Sequence, residues 1–225
     1  MTLTRYGKKE CWLLTVLALP LSLLFLAGGI FVAKAGYAFA FLFFLSWIAG
    51  ISFFRNPKRE IPDDENLILS PADGTIRDIE LISASDSGHL AGVFEGRDML
   101  RIGIAISVFD VRLNRIPCKF SVKLRERKEA EGGGKESVIL AGTAHAGGKD
   151  FPMGIKQISW MGSGNIICEP VPGDDLECGF SYGIIKFGSR LELYLPAKSD
   201  LIEIKIGVGD KVQAGLTPIV EFSNK

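Results

Sequence analysis

Histidine is nearly missing from this 225-residue chain, which has only His89 and His145. A zinc site or a membrane-anchored zinc peptidase needs several histidines with a carboxylate, and two distant ones do not supply that. Cysteine is sparse too. Cys11, Cys118, Cys168 and Cys178 form no close pair of metal-ligand spacing. Free thiols in a reducing compartment are expected. Net charge is absent, with 26 basic and 26 acidic residues, so nothing points to a nucleic-acid partner. Beyond residue 66 hardly any stretch repeats every 3.6 residues. The run Gly132-Gly133-Gly134 lacks the lysine-serine or strand-turn-helix setting of a phosphate loop and reads as a flexible loop.

What the chain does have is local apolarity. Residues 11–33 and 36–54 are two apolar runs, each about 20 residues long, enough to span a hydrocarbon core as a helix. The turn around Lys34-Ala35-Gly36 is short, so the pair reads as a helical hairpin within residues 1–60. No small-residue cleavage site stands out after the first run, which argues against a secretory signal peptide. Arg5, Lys8 and Lys9 precede the first run, and Arg55, Lys58 and Arg59 follow the second. The positive-inside rule then puts both termini in the cytoplasm. The domain of residues 61–225 is expected there as well, held at the inner membrane.

That domain reads as mostly β, a sandwich or barrel. Leu67 to Ile76 is strand, turn and strand, with Asp73-Gly74 as the turn. Arg77 to Glu95 is polar and reads as a solvent-facing hairpin, with His89 on the surface. Met99–Val108, Lys119–Arg127, Ser137–Ala144, Pro152–Trp160 and Asn165–Glu169 read as strands. His145 falls in a glycine-rich turn, and Pro170–Gly179 is an acidic loop. In the tail, the spacing of Val208-Gly209-Asp210, Val212 and Ala214-Gly215 resembles the turn of a carrier-type barrel-sandwich hybrid, without the modified lysine.

Gly183 to Pro196 alternates apolar and polar residues on both sides of Gly188-Ser189. A glycine there admits two readings. One is a bulge or hairpin corner. The other is chemical: a serine after a flexible glycine can attack the preceding carbonyl, cut the chain and become a pyruvoyl group, a carbonyl electron sink for amines.

Four segments occur in order: Phe53-Phe54-Arg55-Asn56-Pro57 after the hairpin, Ser70-Pro71-Ala72-Asp73-Gly74, Ser107-Val108-Phe109-Asp110-Val111-Arg112-Leu113-Asn114-Arg115, and Lys186-Phe187-Gly188-Ser189-Arg190. Together they resemble the short bacterial and archaeal type of phosphatidylserine decarboxylase proenzyme. The resemblance implies self-cleavage between Gly188 and Ser189, giving chains 1–188 and 189–225. Ser189 would become the pyruvoyl group that forms a Schiff base with phosphatidylserine, the product being phosphatidylethanolamine. Asp73 matches a motif aspartate that assists cleavage as a base or orienting group. Arg112 stands where the family usually has histidine, and arginine cannot serve as a base. It can neutralise a carboxylate, a phosphate or an oxyanion. Asn114 and Arg115 match the motif as substrate-binding candidates, and Arg190 as a group that orders the new chain end. No metal is implied. Two readings stay open: a working decarboxylase using Asp73 and Arg112, with or without help from His145, and a membrane-anchored relative that has lost catalysis and binds or supports.

Overall fold

The computed structural model describes residues 2–31, 34–83, 88–129, 134–160, 162, 164–187, 189–197 and 202–222, with the backbone alone for His89, Ser189 and Ile202. Two compact units are present, Met1–Lys58 and Arg59–Lys225.

The first unit is the hairpin. Strand β1 (Thr2–Leu3) leads to helix α1 (Lys8–Phe31), then α2 (Ala35–Phe53) and β2 (Arg55–Asn56), which pairs with β1 antiparallel. At 1.5 Å per residue, helices of 24 and 19 residues extend about 36 and 28 Å, matching a hydrocarbon core of about 30 Å. Both are long and apolar enough to cross a membrane. Small residues let the helices touch: a Cβ on Gly36 would lie 2.5 Å from the Gly29 nitrogen. Phe25 packs against Phe39 and Phe43, and the Trp47 indole donates to Thr15 at 3.0 Å.

The second unit is mostly β, as its alternating sequence requires. In chain order it has β3 (Leu67–Leu69), β4 (Gly74–Ile82), a one-turn helix α3 (Ala91–Phe94), β5 (Met99–Ile106), β6 (Leu113–Arg115), β7 (Lys119–Lys128), β8 (Glu136–Ala146) and β9 (Lys149–Ser159). Then come β10 (Ile166–Cys168), β11 (Asp175–Leu176), β12 (Ser181–Ile185), β13 (Ser189–Pro196), β14 (Ile202–Ile204), β15 (Lys211–Val212) and β16 (Pro218–Phe222). Eight strands form one antiparallel sheet in the order β11-β7-β8-β9-β13-β5-β4-β15. Two three-stranded sheets, β10-β12-β6 and β14-β16-β3, complete the unit.

One apolar cluster draws on all three sheets. It includes Ile102 and Ile104 of β5, Leu191 and Leu193 of β13, Tyr182 and Ile185 of β12, and Ile219 and Val220 of β16. The alternate residues of the large sheet are charged instead. Arg190 reaches Asp78 at 2.8 Å and Glu192 at 2.9 Å, and Arg101 reaches Glu80 at 2.7 Å. Gly103 makes room for this network, since a Cβ there would lie 2.6 Å from Arg190 Nη2.

Three expectations change. Arg77–Glu95 is not a hairpin throughout, because β4 continues to Ile82 paired with β5 and a short helix follows. His145 is a residue of β8 rather than a turn residue, because β8 and β9 pair up to Ala146↔Lys149 and the turn falls on Gly147-Gly148. Arg59 belongs to the β unit, where its side chain is buried. The loop expected at Gly132-Gly133 and the surface placement of the His89 side chain lie outside the described residues.

All four cysteines are free thiols. Burial, helped by Glu177, pushes the Cys178 thiol up to about 11, and burial pushes Cys168 to about 12. The thiolate is the reactive form. Native Cys178 is therefore expected to react with iodoacetamide at pH 8 on the order of tenfold more slowly than in urea-unfolded chain, the smaller thiolate fraction being offset in part by the greater nucleophilicity of a more basic thiolate. Equal rates by peptide mass mapping would show an ordinary, open thiol.

Candidate active site

The site is built from strand register. β13 lies between β9 and β5, and its first residue, Ser189, pairs with Ser159 on one side and Ile106 on the other. Ser159 pairs in turn with Glu136 of β8. One row across the sheet therefore reads Ile106, Ser189, Ser159 and Glu136. Gly188 and the Ser189 side chain lie outside the described residues.

The row is unusually polar for a protein interior. Glu136, Ser159 and the next inward residue of β9, Gln157, are all buried. Buried polar groups need partners. Glu136 accepts from Arg127 and from the Asn165 backbone N–H at 2.9 Å. Ser159 donates to the Phe187 carbonyl at 2.8 Å, which fixes the chain one residue before Gly188. The Gln157 amide donates to Asn114 Oδ1 at 2.8 Å. That bond joins the large sheet to β6 of a small one. Two atoms of this pair, Asn114 Nδ2 and Gln157 Oε1, are buried with no hydrogen-bond partner among the described residues. Gln157 pairs with Leu191, two residues along β13 from Ser189, so an open buried donor and acceptor lie near the start of that strand.

The motif of residues 107–115 arrives on the other side. The Arg112 carbonyl accepts from the Ile185 N–H at 3.4 Å, just before Lys186-Phe187. Its side chain is among the largest fully buried ones. Burial pushes the Arg112 guanidinium down from the usual arginine range, and Asp110 opposes that shift. Arg115 lies at the other end of β6. Its N–H donates to the Pro71 carbonyl at 2.9 Å, which ties β6 to the Asp73 turn.

Asp73 precedes β4. The turn needs glycine next, because a Cβ on Gly74 would lie 2.3 Å from the Ala105 carbonyl oxygen. Both Asp73 oxygens are occupied. Arg59 binds them bidentately at 2.6 and 2.7 Å, and the Ala214 N–H donates to Oδ1 at 2.8 Å. Arg115 is nearby: burial lowers its pKa, Arg59 lowers it further, and Asp73 opposes both. The Arg115 guanidinium itself donates to the Gly179 carbonyl at 2.9 Å. Thr75 and Arg190 both pair with Ala105, so the start of β4 is level with the start of β13 and two strand spacings away, about 10 Å.

Asp73, Arg112, Asn114 and Arg115 are therefore gathered at the end of the large sheet where β13 begins. Arg190 follows on the charged face, bonded to Asp78 and Glu192; burial works against its charge, but these carboxylates outweigh it and raise the pKa. His145 is not at this end. It is nine residues along β8 from Glu136, about 30 Å at the rise of a strand, and its ring nitrogen meets Asp150 at 2.8 Å. Among the described residues no three His, Cys, Asp or Glu side chains gather as a metal-binding group. Arg59, Glu136, Gln157 and Ser159 were not legible as site residues. Gln157 and Ser159 sit in an ordinary alternating strand, and Arg59 looked like a charge flanking a membrane helix.

Comparison with known proteins adds a family. A family model described as phosphatidylserine decarboxylase matches residues 49–220. The phosphatidylserine decarboxylase proenzyme of Geotalea uraniireducens is 35% identical over 210 residues, covering 83% of this chain and 91% of the relative. The proteins of that name from Geobacter metallireducens and Carboxydothermus hydrogenoformans are 32% and 34% identical, over 86% and 79% of this chain and 91% and 82% of theirs.

Proposed function

Because this chain belongs to the phosphatidylserine decarboxylase family, we propose that it is a proenzyme that cuts itself between Gly188 and Ser189 and then decarboxylates phosphatidylserine to phosphatidylethanolamine. The observation that carries the proposal is the meeting of three family segments, those of Asp73, Arg112–Arg115 and Ser189, at one end of the eight-stranded sheet. The relatives' names give no support to a chain that has lost catalysis.

Self-cleavage uses the chain's own atoms. The Ser189 hydroxyl oxygen adds to the Gly188 carbonyl carbon, the C–N bond breaks, and the hydroxyl proton passes to the freed amine. Loss of the Ser189 α-proton then breaks the ester C–O bond and releases the Gly188 carboxylate. Water hydrolyses the remaining imine, expelling ammonia and leaving the pyruvoyl group. Ser159 serves this sequence by anchoring the Phe187 carbonyl, so the scissile turn starts from a fixed point. Asp73, with both oxygens bound and about 10 Å from β13 by strand spacing, acts as an orienting group rather than a base, since a base must come within hydrogen-bond reach.

When present, the pyruvoyl carbonyl supplies an electron sink for a substrate amine. Asn114 and Gln157 would hold that group through their open amide atoms. Arg112 is charged at any working pH, so it neutralises an anion and transfers no proton. The hairpin holds the enzyme at the inner membrane with the β domain on the cytoplasmic side, in accord with the positive-inside rule. The tail, in this reading, is the hybrid-like part that closes the domain behind Asp73 through Ala214.

Intact mass of the purified protein under denaturing conditions tests the proposal. Two chains, residues 1–188 and 189–225, are expected, the smaller with a pyruvoyl end, together with release of carbon dioxide from phosphatidylserine. A single chain of 24.5 kDa with no turnover would overturn it.

A further inference from the structure

The turn between β5 and β6 presents apolar side chains to solvent. Val108 is 64% exposed and Phe109 83%, and Phe187 before β13 is 46% exposed. A lone exposed apolar residue is ordinary. These three are at one place. Ile106 ends β5 opposite Ser189, so chain leaving β5 and chain entering antiparallel β13 emerge at the same end of the sheet.

The turn is also held open. The Ser107 N–H donates to Asp110 Oδ2 at 2.7 Å, the Asp110 N–H to the Ser107 carbonyl at 3.2 Å, and the Phe109 N–H to Ser107 Oγ at 3.3 Å. These bonds fix the backbone at the tip, where Val108 and Phe109 stand out from it.

The chain itself indicates what covers them. Arg59, the first residue of the β unit, is bonded to Asp73 at this same end of the sheet. Only five residues separate it from Phe53, the last residue of the second apolar helix. The chain thus enters the β unit at this end of the sheet, directly after a helix long and apolar enough to cross a membrane.

We propose that Val108, Phe109 and Phe187 form a lip that enters the acyl region of the bilayer and passes a phospholipid from membrane to site. The inference rests on the reading above only for the identity of the lipid that is converted. Because the turn is rigid, insertion needs no opening of the protein. Full burial of one phenylalanine corresponds to roughly a 10- to 100-fold change in partitioning.

Full-length protein in nanodiscs of phosphatidylcholine and phosphatidylserine provides the test. Phe109→p-cyanophenylalanine is expected to give a nitrile stretch typical of hydrocarbon. The same probe at Leu81, 72% exposed at the opposite end of β4, is expected to report water. In parallel, the double variant V108S/F109S is expected to raise KM for bilayer phosphatidylserine about tenfold. Its kcat/KM on a short-chain phosphatidylserine dissolved as monomers should stay within about twofold of the parent. Water-like spectra at both positions, or equal losses on both substrates, would overturn the lip. An uncut, inactive parent whose nitrile at position 109 still reports hydrocarbon would keep the lip and sink the decarboxylase reading instead.

Discussion

A Ser189→Ala protein is expected to run as one uncut chain of 24.5 kDa and to convert no phosphatidylserine. The effect is all-or-none because the proposed function asks two things of one residue. Its oxygen must attack the Gly188 carbonyl, and loss of that oxygen must then turn its α-carbon into the carbonyl that receives the substrate amine. Alanine supplies neither, and no neighbouring group on the polar row takes its place: Ser159 is committed to the Phe187 carbonyl and Glu136 to Arg127 and Asn165. Folding should be untouched, since β13 keeps its pairing with β5 and β9 through backbone groups. The checks are denaturing mass spectrometry, a thermal melt, and release of labelled carbon dioxide from carboxyl-labelled phosphatidylserine. Turnover by a folded, uncut Ser189→Ala chain would falsify the pyruvoyl reading outright.

Asp73→Asn is expected to cost both stability and processing. The side chains of Asp73 and Arg59 are 10% and 6% exposed, and their fork-to-fork pair is backed by the Ala214 N–H. An asparagine leaves the Arg59 guanidinium buried against a neutral group. Breaking one side of such a pair costs about 3–5 kcal/mol. Replacing both partners with apolar residues of similar volume is often neutral by the same reasoning. Arg59→Met/Asp73→Leu should therefore recover part of the lost melting temperature, because no buried charge is left unpaired although the Ala214 N–H and carbonyl lose these partners. It should not recover cleavage, because the turn that orients β4 beside β13 has lost its carboxylate. Full cutting by the apolar pair would show that Asp73 contributes only to folding, and the orienting role would fall.

The sequence carried the large features well because they depend on short-range rules. Two apolar runs of membrane-crossing length became two helices within a few residues of their expected ends. Alternation in residues 99–108, 119–127 and 183–196 became strands, since a period of two is written in neighbouring residues. The order of the four family segments was also readable, and with it Ser189, Asp73 and the departure at Arg112. Expectations failed where a long-range partner decided. The polar stretch after Arg77 stays a strand because β5 pairs with it. His145 joins β8 because β9 pairs one residue past it.

For this protein, then, the linear chain determined the apolar hairpin, the β-rich domain and the order of the family segments, all of which follow from local composition, period and motif. Tertiary structure alone decided which of them meet. Register across β8, β9, β13 and β5 put Ser159 and Glu136 in the row of Ser189 and left His145 about 30 Å away. Pairing over 14 positions turned Arg59 from a flanking charge into the partner of Asp73, and pairing over 43 positions joined Asn114 to Gln157. The physical reason is that a strand's neighbours are fixed by hydrogen bonds between distant segments, and no local pattern records which segments those are.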